Sequence, residues 1–436
     1  MEATHRLREY MALLSIIVAV SVLITPELVI YTIVLLAVPL LSRVIMEVNL
    51  YAVEKLKVYS DVSVERDDRI SVTYTVENPL WMPVFHLEYS IRYSELLRLV
   101  EGVKSGLLVI PPKSTLKLRF VFKERLGEHI VGPLKIIARD PFGFYRSNEI
   151  ELGRAVILRI PPKPEEVIVR KLYSYARSTG LVKSRTPGDG VEFYDVRDYS
   201  PGDEARRIVW RIYASRRRLA VWESEREVHQ PVIFILDASR EMWSGPFGQS
   251  MVEHSARIIA SVVYYLVRRG YSISTVVFNE SMVDSSGRPI HGHRGYLEAI
   301  RILSKAKFTG VDAPRSSMLV GALSYTYKNI LPRDRSVVFL FTHITRSMLR
   351  VLIEWNSLLR SRGHVLYIIN PLITSYESRG DLPDWAARIY EVKLMKTLRE
   401  DVDALTEARL NGLLVIAVTP SMIPQRVIDA VERYSM

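Results

Sequence analysis

The sequence predicts a multidomain protein with an N-terminal transmembrane helical hairpin, a small antiparallel β-sandwich and a C-terminal α/β doubly wound domain. Three patterns support this prediction: two apolar runs near the start, short alternating β-branched segments in the middle, and continuous apolar strands alternating with helical segments at the end. With 436 residues and 48% hydrophobic side chains, the chain exceeds one ordinary domain. The predicted divisions are a hairpin, a sandwich, a linker with a charged segment, and the α/β domain, at residues 1–47, 48–160, 161–228 and 229–436.

The hairpin is predicted from two uncharged stretches. Residues 10–25 contain no charged side chain, and a second apolar run, residues 28–41, follows Pro26 and Glu27. Each run is shorter than the roughly 20 residues that cross a bilayer, but apolar residues at the ends extend them. A helical hairpin in the core of a soluble domain is the alternative. A cleaved signal peptide is disfavoured because the second run follows the first directly.

Charge on either side of the hairpin predicts its orientation. Arg6 and Arg8 precede it, and Arg43, Lys55 and Lys57 follow it, whereas the turn carries only an acid. By the positive-inside rule both ends face the cytoplasm. We therefore expect a multi-pass protein of the cell membrane with both termini in the cytoplasm.

The composition and the motifs of the chain exclude several classes of functional site. The chain has no cysteine, which excludes disulfides and thiolate sites and is consistent with a reducing compartment. Its net charge of +11 fits a membrane-surface protein or a nucleic-acid binder equally well. We find no P-loop, GxSxG, HExxH or Rossmann glycine pattern, and no nucleophile beside a plausible base. The sequence thus predicts a protein that is not an enzyme.

The middle region carries the pattern of a β-sandwich. Residues 70–76, 116–122 and 155–160 alternate between apolar and polar side chains, and turn signals with Gly and Pro separate such segments. No catalytic constellation is found among them. The turn at residues 139–144, with two Phe side chains, is predicted to anchor the edge of this domain.

Residues 188–225, which we call the charged segment, are the densest part of the chain in functional residue types. Gly-Asp-Gly and Pro-Gly-Asp turns precede a predicted helix over residues 204–215 that Asp203 would cap, with Trp210 as an apolar anchor. Two interpretations stay open: an internal lattice of Arg–carboxylate pairs, or a partner-binding site. The candidate contact residues are Asp189, Glu192, Arg197, Tyr199, Asp203, Arg207, Trp210 and Arg216.

The charged segment resembles the domain of unknown function 58 family. The resemblance lies in the Gly188-Asp189-Gly190 turn, residues 196–199, the Pro201-Gly202-Asp203 turn, and Trp210. It also includes Glu192-Phe193, Arg207-Ile208 and residues 214–216. The resemblance implies a von Willebrand factor A-like domain directly afterwards, membrane helices and a β-rich segment before it, and association with a MoxR-type AAA+ ATPase.

The last region shows an α/β rhythm. Apolar strands are predicted at residues 232–236, 273–278, 337–341, 365–369 and 413–418. Helices are predicted at residues 252–267, 296–304, 318–330, 348–359 and 424–434. Buried strands alternating with helices form a parallel sheet covered on both faces, with functional loops at the carboxyl ends of the strands.

One of these loops suggests a metal site. Residues 237–241 resemble the first part of the metal-ion-dependent adhesion site of von Willebrand A domains, with Glu in place of the last Ser. Ser316 would supply the second loop, with Ser317 and Thr309 as other candidates, and Thr342 stands where the resemblance implies an Asp. Hard cations such as Mg²⁺ prefer such oxygen ligands. The predicted set is Asp237, Ser239, Glu241, Ser316 and Thr342.

The metal-free alternative is equally concrete. Two of the usual ligands are altered, and Glu241 could pair with Arg240 or Arg315 instead of a cation. The loops would then contact a protein partner without metal. Elsewhere, His291 and His293 lack a third ligand at suitable spacing, so we interpret them as part of a solvated loop.

Together these features predict a membrane-anchored cytoplasmic interaction or scaffold protein. The resemblance implies complex assembly or chaperone-like work with a MoxR-type ATPase. One alternative is a hydrolase in which Glu192 and Asp203 act as acid and base. The other is a lipid or nucleic-acid binder that uses the basic ridge at residues 216–218, with nucleic acid the less favoured ligand.

Overall fold

The computed structural model describes residues 1–23, 29–65, 68–166, 168–172, 187–225, 231–371, 384–418 and 422–435. The chain divides into two compact units, Met1–Ile160 and Pro161–Met436. The predicted turn at Pro26 and Glu27 lies outside the described residues.

The described part of the first unit contains two helices, which follow a two-residue strand, and then a series of short strands. The helices are α1 (His5–Leu23) and α2 (Val29–Glu54). The strands are β1 (Glu2–Ala3), β2 (Lys57–Val64), β3 (Arg69–Glu77), β4 (Val84–Tyr93), β5 (Arg98–Glu101), β6 (Ser105–Ile110), β7 (Thr115–Lys123), β8 (Gly127–Ala138), β9 (Tyr145–Arg146), β10 (Ile150–Leu152) and β11 (Val156–Ile160).

The two N-terminal helices differ in their ability to cross a membrane. Among the described residues, α2 alone is long and apolar enough by length and composition, with a mean hydropathy of 2.2 over its most apolar window. Helix α1 begins at His5 and includes Arg6, Arg8 and Glu9, which shortens its apolar length. The prediction of a second span in residues 10–25, and with it the multi-pass topology, is therefore not supported.

Two antiparallel sheets follow the helices. The strand order in one is β2-β3-β7-β5, and in the other β10-β8-β4-β6, with β11 also paired to β8. The alternating side chains of both sheets meet in one buried cluster, in which Val72 and Phe120 of the first sheet join Leu87 and Ile136 of the second. The predicted alternation of apolar and polar residues is thus the pattern that builds this core.

The turn at residues 139–144 connects the N-terminal helices to the sheets. The Asp140 carboxylate is buried, accepts a hydrogen bond from the Ser42 hydroxyl of α2, and accepts the backbone N–H groups of Phe142 at 3.0 Å and Tyr145 at 2.6 Å. The ring of Phe144 lies 4.9 Å from that of Tyr10 of α1, measured between centroids. This turn therefore anchors the two N-terminal helices to the sheets.

The described part of the second unit contains the remaining elements. The strands are β12 (Pro187–Asp198), β13 (Ala220–Glu225), β14 (Val232–Asp237), β15 (Ile273–Phe278), β16 (Val283–Ser285), β17 (Val337–Phe341), β18 (Val365–Ile369) and β19 (Leu414–Ile416). The helices are α3 (Trp210–Arg216), α4 (Met251–Arg268), α5 (Gly292–Leu303), α6 (Arg315–Asn329), α7 (Arg346–Ser361), α8 (Asp384–Leu410) and α9 (Ile423–Ser435).

A six-stranded sheet organises the second unit. Its order is β16-β15-β14-β17-β18-β19, and all neighbours are parallel except the edge strand β16. Every residue of β14, β15 and β17 is buried, as expected for central parallel strands with both faces covered. The predicted strands coincide with the observed ones, whereas β16 and the long helix α8 were not predicted.

The charged segment forms a hairpin of β12 and β13, whose register shifts between Gly188 and Phe193. The predicted helix over residues 204–215 is wrong in its first half, where a 3-10 turn is followed by Ile208 bridging to Val221 of β13. Only α3 is an α-helix, because this pairing interrupts the helical backbone. Asp203 does not cap it, since the 3-10 turn begins after Glu204, which makes no side-chain cap.

Candidate functional site

The carboxyl edge of the six-stranded sheet brings the predicted loops together. Asp237 is the last residue of β14, and Thr342 follows the end of β17, its neighbour in the sheet. Arg315 is the first residue of α6. The carboxyl ends of parallel strands share one edge, so these three positions converge although they are far apart in the chain.

A guanidinium group lies at the centre of this convergence. Arg315 Nη2 donates to Asp237 Oδ2 at 2.8 Å and to Thr342 Oγ1 at 3.3 Å, and Arg315 Nη1 donates to Glu241 Oε2 at 2.6 Å. The Thr342 hydroxyl in turn donates to Asp237 Oδ2 at 2.6 Å. We call Asp237, Ser239, Glu241, Arg315 and Thr342 the loop cluster. It links three loops through one cation.

Burial makes the contact between Asp237 and Arg315 more costly to break than a surface ion pair. The side chains of Asp237 and Arg315 are 1% and 10% exposed, whereas Glu241 is 54% exposed. A cation at the N-terminus of α6 faces the positive end of the helix dipole, so Arg315 depends on these carboxylates for its placement. Removing one partner of such a pair would leave a buried charge uncompensated.

A second buried pair adjoins the cluster. His343 Nε2 lies 2.8 Å from Asp401 Oδ1 of α8, and His343 Nδ1 lies 3.9 Å from Glu241 Oε2. Burial by itself would lower the pKa of His343, but contact with the carboxylates of Asp401 and Glu241 outweighs burial and raises that pKa above its usual value. The nearby imidazole and Arg315 hold the pKa of Glu241 below its usual value, against the effect of burial.

The predicted serine ligands are placed differently from one another. Ser239 lies in the cluster: its backbone N–H donates to Asp237 Oδ1 at 2.9 Å, and its hydroxyl is buried without a hydrogen-bond partner among the described residues. Ser316 follows Arg315 on α6, half-buried, and no hydrogen bond within the described ranges joins it to Asp237. Ser317 donates to Pro314 O, and Thr309 donates to Glu280.

The side chains as placed do not fit a divalent cation at Asp237. The guanidinium of Arg315 is bonded to the carboxylates of Asp237 and Glu241 and to the Thr342 hydroxyl, which are three of the predicted ligands. In the part of the chain that the structure describes, no group of three or more His, Asp and Glu side chains is placed to hold a metal ion. The arrangement thus works as an ion-pair network.

The charged segment contains a second set of ion pairs. Arg197 donates to both carboxylate oxygens of Asp203, at 2.9 and 2.6 Å, and Arg218 pairs in the same bidentate way with Asp198. Contact with Arg197 lowers the pKa of Asp203, and a hydrogen bond from the Ser200 N–H adds to this. The predicted lattice of Arg–carboxylate pairs is therefore present at these positions.

Other predicted residues of this segment face outward. Trp210 is 61% exposed, so its predicted role as an apolar anchor is wrong. Tyr199 and Arg216 are also exposed, and Arg207 is half-buried beside Glu204 at 3.6 Å. The side chains of Asp189 and Glu192 lie outside the described residues.

Sequence reasoning missed Asp401 altogether, because helix α8, which carries it, was not predicted. Arg315 was considered only as a pairing partner for Glu241, and its contact with Asp237 needs the converging loops to be visible. The signal in the sequence that could have identified its central position is a basic residue just before the predicted helix over residues 318–330, which in the structure begins at Arg315 itself.

Comparison with known families bears on this site. Residues 195–370 match the family model described as "Protein of unknown function DUF58". The resemblance to this family is thereby confirmed over these residues, which include α3 and β14 to β18. No curated protein matches the chain.

Solved structures give a weaker likeness. Proximal thread matrix protein 1 from the mussel byssus is 13% identical with a TM-score of 0.31, covering 48% of this chain and 46% of its own. A structure of the same protein described as having a zinc-occupied MIDAS motif is 15% identical with a TM-score of 0.30, covering 48% of this chain and 46% of its own. The SpRpn10 VWA domain is 13% identical with a TM-score of 0.28, covering 47% of this chain and 95% of its own.

The chain thus spans about half the length of the mussel protein. The likeness to these solved structures, at such scores, carries no argument about what the chain binds.

Proposed function

We propose that the chain is a membrane-anchored cytoplasmic interaction protein whose second unit binds a protein partner at the loop cluster. The observation that carries this proposal is the loop cluster itself at the carboxyl edge of the sheet. Its buried ion pairs hold three loops in fixed positions, and charged groups surround it at the surface. Arg240 and Asp312 pair there at 3.1 Å and are 58% and 89% exposed. Rigid loops with exposed polar groups are suited to recognising a partner.

The family resemblance supports a protein partner more than a small substrate. Members of the resembled family are commonly associated with MoxR-type AAA+ ATPases, and we propose such an ATPase as the partner, with a role in complex assembly or chaperone-like activity. This part of the proposal is argued by analogy with the family, since fold alone does not give function.

The side-chain distribution of α2 supports a membrane anchor. Its buried residues include Thr32, Ser42 and Asn49, whereas its exposed residues are mainly large and apolar, among them Ile33 and Leu40. A core helix in water shows the opposite arrangement, with the apolar face inside. Only 22% of the most apolar window of α2 is buried, which further separates it from a core helix.

The charged segment supplies a plausible second contact surface. In the described part of the chain, four of its arginines have no carboxylate within ion-pair distance: Arg206, Arg211, Arg216 and Arg217. Trp210 and Tyr213, both exposed, lie beside them with ring centroids 6.3 Å apart. Exposed aromatic and arginine side chains are typical of binding hot spots, and the charge favours an acidic partner surface.

The hydrolase alternative receives no support from Asp203. Both of its carboxylate oxygens accept from Arg197, and its pKa is lowered, so it is poorly suited to act as a general acid. We therefore do not propose a reaction for this segment.

Binding of a purified MoxR-type ATPase to the full chain in detergent tests the proposal. Asp237→Ala is a poor variant for this purpose, because it would leave Arg315 buried without its partner. Arg240→Glu instead reverses a charge at the rim of the loop cluster, and the matched control Arg350→Glu makes the same charge reversal at an exposed position on α7.

We expect Arg240→Glu to weaken binding by about tenfold or more, since charge reversal at an interface rim slows association and introduces repulsion. The melting temperature should stay that of the unsubstituted chain, and Arg350→Glu should bind normally. Equal binding by all three proteins would rule out the loop cluster as the contact site.

A further inference from the structure

We propose that Arg315 is the built-in cation of the loop cluster. It takes the position that a divalent metal would need, so the wild-type chain works without metal, and removal of its side chain would create a divalent-cation site from Asp237, Ser239, Glu241 and Thr342. The consequence for partner capture rests on the proposed function. The predicted metal site in a chain without the Arg315 side chain does not depend on the proposed function.

The geometry gives the first argument. Three oxygen atoms of the kinds that hard cations prefer, two carboxylate and one hydroxyl, converge on one guanidinium at distances of 2.6 to 3.3 Å. They come from the ends of β14 and β17 and from the turn after β14. Without Arg315, the same oxygens would be left facing one another, and a cation is what brings such groups together.

Burial gives the second argument. The Asp237 side chain is 1% exposed and that of Arg315 is 10% exposed, so in the wild-type chain the guanidinium keeps both water and metal ions away from the Asp237 carboxylate. Metal binding to the wild-type chain would therefore have to expel a buried arginine from its two carboxylates. That exchange leaves the guanidinium to find new partners, which opposes it strongly.

The Ser239 hydroxyl gives the third and independent argument. Its oxygen is buried and has no hydrogen-bond partner among the described residues, an arrangement that proteins usually avoid. It belongs to the same loop as Asp237, whose Oδ1 accepts from the Ser239 N–H at 2.9 Å. This buried oxygen makes no hydrogen bond to Arg315 and is therefore available as a ligand for a metal ion.

The test is a calorimetric titration in which Mn²⁺ is added to the full chain in detergent and the heat of binding is measured. We compare the wild-type chain with Arg315→Ala and with Arg350→Ala, which removes the same charge from an exposed pair on α7. Arg315→Ala should bind Mn²⁺ at least about 100-fold more tightly than the wild-type chain, whose affinity should be no better than about 1 mM. Arg350→Ala should behave like the wild-type chain.

A thermal melt provides a second readout. Arg315→Ala should melt below the wild-type chain without metal, because Asp237 and Glu241 then repel each other, and Mn²⁺ should recover part of that loss. Mn²⁺ should leave the wild-type melt unchanged. If Arg315→Ala does not fold, Arg315→Gln keeps most of the volume without the charge and serves in its place.

Two results would overturn the inference. One is wild-type binding of Mn²⁺ as tight as that of the variant, and the other is a folded Arg315 variant that binds no Mn²⁺. Adding Asp237→Asn to the Arg315 variant should abolish the new binding, which locates the metal.

Partner capture separates this inference from the proposed function. Capture of the ATPase by the wild-type chain should be the same with and without EDTA when the ATPase is free of nucleotide and therefore does not need Mg²⁺ for its own nucleotide. Loss of capture in EDTA would contradict the metal-free cluster while supporting a partner site. Absence of any capture would contradict the proposed function and leave the Mn²⁺ result standing.

Discussion

The carboxyl group of Glu432 is an example of a single residue whose surroundings make stability depend on pH. Its side chain on α9 is 14% exposed and lies 3.9 Å from Arg269. Burial raises the pKa of Glu432 to about 7, with Asp429 adding to the rise and Arg269 opposing it. The folded state therefore holds this proton more tightly than the unfolded chain does.

The sign of the pH effect follows from that difference. Between the ordinary glutamate pKa near 4.5 and the folded value of about 7, the folded state binds more protons, so Glu432 lowers stability as pH rises through this window. We expect its contribution to the free energy of unfolding to fall by on the order of 3 kcal/mol from pH 4.5 to above pH 7. Glu432→Gln should remove this slope.

The measurement is the unfolding midpoint of the full chain in detergent across this pH range. The difference between wild-type and Glu432→Gln chains should change with pH, whereas Glu354→Gln, an exposed control on α7, should run parallel to the wild-type chain. A Glu432→Gln chain that runs parallel as well would contradict the assigned pKa.

The residue scale also shows the reach of sequence reasoning. That Asp237 and Thr342 lie at one edge followed from the alternation of strands and helices, because parallel strands end together. Asp401 could not be placed, since the apolar pattern of residues 384–410 is too weak to predict helix α8 and packing supplies what the pattern lacks. The role of Arg315 depends on distances between loops, which no local pattern encodes.

At the scale of elements, the turn at residues 139–144 is one of the contacts that attach α2 to the sheets. Asp140 accepts two backbone N–H groups and the Ser42 hydroxyl while 3% exposed. Asp140→Ala would leave the buried Ser42 hydroxyl and the two partly buried backbone N–H groups without this acceptor. We expect the free energy of unfolding to fall by about 2 to 4 kcal/mol, because donors that had bonded to a charged acceptor lose that acceptor.

Hydrogen exchange checks this prediction at the affected atoms. The amides of Phe142 and Tyr145 should exchange much faster in Asp140→Ala than in the wild-type chain, because they lose their acceptor. Glu151→Ala, which removes an exposed carboxylate of β10, is the control and should leave both amides protected. Unchanged protection in Asp140→Ala would mean that the turn is held by other contacts.

Strands and helices could be predicted from the sequence where a single hydrophobic pattern extends through the whole element. Strands β14, β17 and β18 are nearly continuous apolar runs, and β15 is apolar apart from Ser274 and Thr275, so the bounds of all four follow from the sequence. The helix over residues 204–215 was overextended because Ile208 pairs with Val221, a contact that the local propensity of this stretch does not reveal. Strand β16 is a three-residue edge strand, too short for a periodic signal.

At the scale of the whole molecule, the arrangement of α2 gives the chain an exposed apolar surface. Polar residues of α2 contact the rest of the first unit, as in the hydrogen bonds between Asn49 and the backbone of Phe85 at 2.8 and 3.0 Å. The large apolar residues that remain outside would be costly to leave in water. A bilayer removes that cost, and the proposed localisation depends on it.

Single-cysteine labelling tests the proposed anchor directly, because the chain has no cysteine of its own. Spin labels at Ile33→Cys and Leu40→Cys, 63% and 60% exposed on α2, report their environment in chains reconstituted into lipid vesicles. We expect oxygen, which concentrates in the bilayer, to reach both labels more readily than a water-soluble nickel chelate. Val109→Cys, on an exposed position of β6 that should face water, is the control and should show the reverse order. Equal or greater nickel accessibility at Ile33 would place α2 outside the bilayer, and the exposed apolar face would then have to meet a protein partner instead.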